Sequence, residues 1–325
     1  INNKNKTAQL IVIAREINKF HGTFLSSIMK YQVKGRIHGE INQLRGDNGG
    51  TVSGRLSMSN PNLQQVPARN KDFGPKIRSL FIPEEGYKWG SFDYSQQEPR
   101  MTVHYAASIG EGYEGSNELV QAYQNSQADF HQTVADLVGI ERTQAKTIGL
   151  GLMYGMGKQK LAISLGVSKD EANELIIKYN KKVPFVKKLS DRCKYAADEK
   201  GVIRTKKGRK CRFDMWETRD FGLHVAEKYE DAVAKYGKDN IKRAFTYKAL
   251  NRLIQGSSAD QTKQSMLDCY EDGHLPILQI HDELCFNVKD EKHAKQIQKK
   301  MQNAIEFKVP SVVEYGLGES WGDAK

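Results

Sequence analysis

Asp93 and Asp282 are the carboxylates best placed to do chemistry. Asp93 closes the run Tyr87 to Phe92, which reads as a short strand leading to a polar turn, and helical character returns from Glu98 to Ala107. Asp282 and His281 separate two apolar runs, Pro276 to Ile280 and Glu283 to Val288, so a tight hairpin is expected there. Strand ends and tight turns hold a side chain firmly and leave it open to a ligand. Either aspartate alone reads most simply as a turn former. Two of them on rigid elements are also the donor set for transfer of a phosphoryl group from a nucleoside triphosphate, which uses two oxygen-seeking cations about 3.5 to 4 Å apart.

A second pattern lies between them. Arg142, Lys146, Leu150 and Tyr154 recur every four residues in a run that closes on Tyr154-Gly155. Residues four apart stack on one face of a helix. The plain reading is a solvated basic face. The same spacing suits a triphosphate, with two cations on phosphate oxygens and the next two residues, one and two turns on, at sugar and base.

The elements that position these groups follow from the pattern. Apolar residues at Leu10, Ile13, Ile17, Phe20, Phe24 and Ile28 predict one long amphipathic helix whose apolar face must pack on something. Residues 35–70, punctuated by Gly46, Gly49, Gly50 and Gly54, predict loops and short strands. Residues 117–180 read as helical, with breaks at Gly139, Gly155, Gly166 and, just beyond, Pro184. Val202 to Phe213, turned by Gly208, predicts a basic hairpin carrying Arg204, Lys206, Lys207, Arg209, Lys210 and Arg212. Glu217 to Arg243 reads as a charged helical insertion.

Composition agrees without deciding. The 325 residues are enough for two or three lobes with filled cores, and 50 Lys and Arg against 39 Asp and Glu give a formal charge of +11, which suits a polyanionic partner. The four cysteines form no CxxC pair, so neither a zinc site nor a disulfide framework is expected and a reducing compartment fits. The apolar run Leu10 to Ala14 is far too short to span a membrane, and no secretory signal is visible. The expectation is a soluble, non-secreted protein of a bacterial or phage-infected cytoplasm or a DNA-containing organelle. The chain opens on Ile1 and the polar Asn2-Asn3-Lys4-Asn5-Lys6, which suggests a fragment of a longer protein.

Longer motifs carry a resemblance. Asp93-Tyr94-Ser95-Gln96-Gln97-Glu98-Pro99-Arg100 and Gln279-Ile280-His281-Asp282-Glu283-Leu284 resemble the first and last catalytic motifs of family A (DNA polymerase I type) DNA polymerases. The run from Arg142 to Gly155 is similar to that family's nucleotide-binding fingers helix. Ser53-Gly54-Arg55-Leu56-Ser57, with Pro61 to Asn70, resembles its primer-template segment, and Asn251 to Asp260 its template-side motif. The resemblance runs from about Arg36 to Gly318-Glu319-Ser320-Trp321, and fits a phage or phage-like member.

The resemblance implies an α+β right-hand polymerase: an antiparallel-sheet palm, helical fingers and a partial helical thumb. The thumb falls at 1–35, the palm at 36–114 and 246–325, and the fingers at 115–245 with the insertion at about 217–243. It implies that Asp93, Asp282 and the Tyr94 carbonyl hold two Mg2+ ions, with Mn2+ able to substitute, and that Glu283 supports them. It places Gln96, Glu98, His131, Arg142, Lys146, Leu150 and Tyr154 at a deoxynucleoside triphosphate, with Lys146 also catalytic. Glu98 would exclude the ribose 2′-hydroxyl. Arg55, Asn62, Gln64, Arg69, Asn251, Gln255 and His281 would contact primer-template DNA through phosphates, sugars and minor-groove acceptors common to all base pairs. No accessory clamp is indicated, and no exonuclease acidic motif is found upstream.

Four departures stand out. Gln97 and Pro99 replace apolar residues, Leu150 replaces an aromatic, and Tyr247 replaces an arginine four residues before Asn251. Two rival readings remain. A single-subunit RNA polymerase shares the architecture but would need space where Glu98 projects. A silent nucleic-acid-binding module would not need Asp93, Asp282, Arg142 and Lys146 together.

Overall fold

The computed structural model describes residues 5–44, 46, 50–67, 70, 72–125, 129–220, 222 and 224–324. Asn2, Asn3, Lys4, Gly49 and Arg69, all singled out above, lie outside the described residues. The chain divides into two compact units, one of residues 1–94, 262–304 and 313–325, the other of 95–261 and 305–312.

The first unit is built on a four-stranded antiparallel sheet. Its strand order is Pro276–Ile280, Glu283–Val288, Lys88–Tyr94, Val313–Gly318. Side chains alternate across a strand, so Phe92, Tyr94, Leu284, Phe286 and Val288 share one face and pack with Ile297 and Met301 of the helix Glu291–Gln302. Trp89 and Cys285 share the other face, in a second cluster with Trp321, Leu278 and Ile280. The strands Pro276–Ile280 and Glu283–Val288 meet at His281 and Asp282, as the hairpin reading expected. His281 takes a left-handed φ of 56°, which lets two residues reverse the chain.

The N-terminal expectation needs correction. An α-helix, Lys6–Lys19, runs into a π-helical stretch, Phe20–Ser26, and a last turn, Ser27–Met29. Phe20, Phe24 and Ile28 are buried, but no residue of Lys6–Lys19 is, and Leu10, Ile11, Ile13 and Ile17 stay about half exposed. The wider π turn re-phases the helix, so a spacing of three to four residues does not keep one face across Lys19.

The second unit is mainly helical. Ile148, Phe130, Tyr179, Phe185 and Leu250 lie in its core. Gly139 and Gly166 end helices in the left-handed conformation, and Pro184 opens the helix Pro184–Lys200, so the sequence breaks are the element ends. The basic hairpin pairs Val202–Arg204 with Lys210–Arg212. It is tied down by Asp260, whose carboxylate accepts from Thr205 Oγ1 and Arg209 Nε, both at 2.6 Å. The region 217–243 is less helical than expected. Among its described residues the one α-helix is Tyr229–Tyr236, framed by the paired strands Trp216–Thr218 and Ile241–Arg243. Trp216 under Arg243, at 4.6 Å, favours strand at that end over continued helix. No helix among the described residues is long and apolar enough to cross a membrane.

Candidate active site

The first unit carries the carboxylates. Asp93 is the cross-strand partner of Glu283, and Asp282 follows one position beyond, at the hairpin tip. Directly opposed residues of an antiparallel pair point to the same face. Asp93 and Glu283 therefore share the face that carries Trp89 and Cys285. Asp93 is exposed and Asp282 half-buried, so both remain open to a ligand. Tyr94 points to the opposite face, where its hydroxyl meets Ser265 Oγ at 2.5 Å and donates to the Met301 carbonyl at 2.6 Å. Burial raises its pKa well above the ordinary phenol value. Anchoring that ring fixes the backbone carbonyl beside Asp93.

This donor set suits a hard cation. The three acids are hard oxygen donors, and no soft thiolate stands among the proposed ligands. Among the described residues no three His, Cys, Asp or Glu side chains form a ready-made cage. Such a site fits magnesium, which takes one or two carboxylates and fills its sphere with water and substrate oxygens.

The second unit carries the groups assigned to the nucleotide. Gln96, at a left-handed φ of 53°, precedes the helix Gln97–Ala107 and accepts from Phe130 N at 2.9 Å and Tyr123 Oη at 3.3 Å. Glu98, two residues on, accepts from Tyr154 Oη at 2.5 Å. The departures from the family pattern here are absorbed. Gln97 is buried but donates to Gln261 Oε1 at 3.0 Å, and Gln261 donates to Ser311 Oγ at 2.6 Å. Pro99 falls in the first helical turn, where a missing N–H breaks no helical bond.

The helix Arg142–Met153 displays its basic face as predicted. Arg142 and Lys146 are exposed and Leu150 is half-buried against the core. Tyr154 caps the helix, and Gly155 follows at φ 68°, where a Cβ would sit 3.0 Å from the Tyr247 ring. Only glycine combines that φ with that approach. Tyr247, in place of the family's arginine, thus packs against the end of the helix Arg142–Met153.

Asp129 organises the start of this surface, a role the sequence reading missed. Its carboxylate caps the helix Phe130–Val138 by accepting from His131 N and Gln132 N, and pairs with Arg142 through Nε at 2.8 Å and Nη2 at 2.6 Å. Burial pushes its pKa up, but the Arg142 bond, the two amides and the Arg142 charge outweigh this and hold it below the usual range. His131 is buried and its Nδ1 has no hydrogen-bond partner. Burial lowers it to about 4, with Asp129 opposing and Lys146 and Arg142 adding to the fall. The signal for Asp129 was its place just before an apolar helical run.

The residues assigned to DNA divide between the units. In the first, Asn62 accepts from Gln64 N at 3.1 Å, and Gln64 donates to Gln279 Oε1 at 2.8 Å. Gln279 donates in turn to the His281 carbonyl at 2.6 Å, so Gln64 and the hairpin tip are linked through a buried amide that was not singled out. Arg55 is half-buried in the same unit. Asn251 and Gln255 lie in the second unit, one turn apart on the helix Ala249–Glu271 and both half-buried. Arg69 lies outside the described residues.

Known proteins resemble this chain over nearly its whole length. The family model "DNA polymerase family A" matches residues 1–323. A "DNA-directed DNA polymerase" of Pseudomonas phage M6 is 38% identical over 362 residues, covering 97% of this chain and 51% of that protein. "DNA polymerase I" of Synechocystis is 34% identical, covering 96% of this chain and 32% of that protein. A solved structure, the POL domain of Pol1 from M. smegmatis in complex with DNA primer-template and dNTP, superposes with a TM-score of 0.78 at 28% identity, covering 97% of this chain and 53% of that one. The chain thus spans about half the length of its phage relative. With the model matching almost end to end and the fold shared, this chain belongs to DNA polymerase family A.

Proposed function

We propose that the chain is the polymerase part of a template-directed DNA polymerase, adding deoxynucleotides to a primer 3′ end. The observation that carries this reading is the Asp93–Glu283 cross-strand pair with Asp282 at the adjoining hairpin tip. In the proposed assignment residues 36–114 and 246–325 form the palm, 115–245 the fingers and 1–35 part of a thumb. The names of the phage and bacterial relatives support the same activity.

In the mechanism, Asp93, Asp282 and the Tyr94 carbonyl would hold two magnesium ions, whose chemistry when bound would be to activate the primer hydroxyl and neutralise charge on pyrophosphate. Arg142 and Lys146, one helical turn apart in the first turns of the helix Arg142–Met153, grip the triphosphate through their charges. Leu150 and Tyr154 meet sugar and base. Glu98, fixed by Tyr154, fills the space under the sugar's 2′ carbon and rejects ribonucleotides. Arg55, Gln64, Asn251, Gln255 and His281 track the duplex. Positioning and charge stabilisation supply most of the rate. The bacterial or phage-infected cytoplasm is the proposed setting.

Primer extension tests the reading. A primed DNA template with magnesium and deoxynucleotides should be extended, ribonucleotides should not, and Asp282→Ala should abolish extension. Duplex binding without extension by the parent chain would replace this reading with that of a binding module.

A further inference from the structure

Arg78 ends the short helix Gly74–Arg78 and is 4% exposed. Its Nε and Nη1 have no hydrogen-bond partner. A buried cation in that state is strongly destabilising unless an opposite charge lies near. The guanidinium sits 4.4 Å from the centre of the Trp321 ring, and Glu283 leads the charges that oppose its desolvation. A fold under selection for stability alone would place an apolar side chain there.

Trp321 joins the two. It is fully buried, lies 6.0 Å from the Trp89 ring, and donates its backbone N–H to the Phe81 carbonyl at 2.9 Å. Gly322 follows so closely against the short helix that a Cβ would lie 2.7 Å from the Pro75 carbonyl oxygen. The indole is therefore clamped, and its Nε1 donates to Glu283 Oε1 at 3.3 Å. Glu283 is the cross-strand partner of Asp93.

We propose that Trp321 and Arg78 are positioning residues that hold the Glu283 carboxylate on the Asp93 face of the sheet, through the indole N–H and the guanidinium charge. Held there, Glu283 cannot swing to take the place of Asp93 or Asp282 in binding a cation, so the two aspartates keep their geometry. The idea rests on the polymerase reading for its consequence in turnover, but not for its consequence in metal binding.

The test combines Trp321→Phe and Arg78→Met, each alone and with Glu283→Gln. Trp321→Phe keeps the aromatic packing and loses the donor. Arg78→Met keeps the volume and loses the charge. Each should lower turnover about tenfold, as loss of a hydrogen bond to a charged group does, with the nucleotide KM within about twofold. Arg78→Met should raise the unfolding midpoint while turnover falls, a split that a merely structural residue would not give. Mn2+ affinity, read from free Mn2+ by electron paramagnetic resonance on the protein with primer-template DNA, should change several-fold in both variants. In the Glu283→Gln background neither change should lower turnover or shift Mn2+ affinity further. Equal losses in both backgrounds, or Mn2+ affinity unchanged by both variants, would overturn the proposal. A parent chain that binds Mn2+ but extends no primer would overturn the polymerase reading, while the Mn2+ comparison still decides the positioning role.

Discussion

The Tyr154 hydroxyl donates to Glu98 Oε2 at 2.5 Å, joining the end of the helix Arg142–Met153 to the first turn of the helix Gln97–Ala107. A glutamate in a first helical turn is ordinarily a solvated residue that helps the dipole. Here one of its oxygens is committed, so the side chain is held as a fixed obstacle. Glu98→Ala is expected to relax discrimination against ribonucleotides by about 10²-fold, and Tyr154→Phe by about tenfold, because the latter leaves the glutamate present but loose. Single-nucleotide incorporation of matched deoxy- and ribonucleotides measures both. Unchanged selectivity in Glu98→Ala would remove it from this role.

In the proposed reading, Asp129 competes with a triphosphate for Arg142. Arg142 Nε and Nη2 both meet Asp129 Oδ2, at 2.8 and 2.6 Å, and the pair is partly exposed, so phosphate oxygens can displace the carboxylate. Asp129→Asn keeps a capping oxygen for His131 N and Gln132 N and removes the charge. The nucleotide KM is expected to fall about threefold with little loss of stability. Asp129→Ala should instead destabilise by about 1 kcal/mol through the lost cap. A raised KM in Asp129→Asn would mean that the pair orients Arg142 for the nucleotide and does not sequester it.

Much of this was legible in the sequence because short-range patterns decide it. The hairpin around Asp282 follows from two apolar runs two residues apart, and the helix breaks at Gly139, Gly166 and Pro184 follow from backbone preference. What escaped depends on partners far along the chain. Gln97 looked like a misplaced polar residue until Gln261 and Ser311 were found to satisfy it. Nothing near Gln279 announces that it links Gln64 to the His281 carbonyl. The π segment Phe20–Ser26 escaped because apolar spacing does not report the pitch of the turn that carries it.

His104 makes the second unit sensitive to acid. It is buried, its Nδ1 accepts from Lys308 N at 3.1 Å, and burial with Lys206 and Lys308 nearby lowers its pKa to about 4. The unfolded chain binds a proton near pH 6.5, whereas the folded one does not until about 4. The unfolded state thus carries more protons in that window, and stability falls as pH drops from about 6.5 to 4. His131, also lowered to about 4, acts in the same direction. His104→Asn keeps an acceptor for Lys308 N and cannot titrate. Urea unfolding at pH 7 and pH 5 should show a smaller pH difference in this variant by on the order of 2 kcal/mol. An unchanged difference would place the acid sensitivity elsewhere.

In the proposed reading, Leu150 is the departure with the most direct bearing on the nucleotide. It is half-buried against the core of the second unit, two turns beyond Arg142, where the family carries a ring. In the proposed reading a leucine would give the ribose an apolar contact but no flat edge, so the contact would depend little on what the 3′ carbon carries. Leu150→Phe would lay a ring edge against that carbon. The variant should discriminate against dideoxynucleotides about tenfold more strongly than the parent, the effect of one added apolar contact. Because a larger side chain beside a packed core brings strain of about 1–3 kcal/mol, its unfolding must be measured as well. A change in selectivity at similar stability assigns the effect to the sugar contact. Identical selectivity in parent and variant would mean that the helix does not bring residue 150 to the ribose.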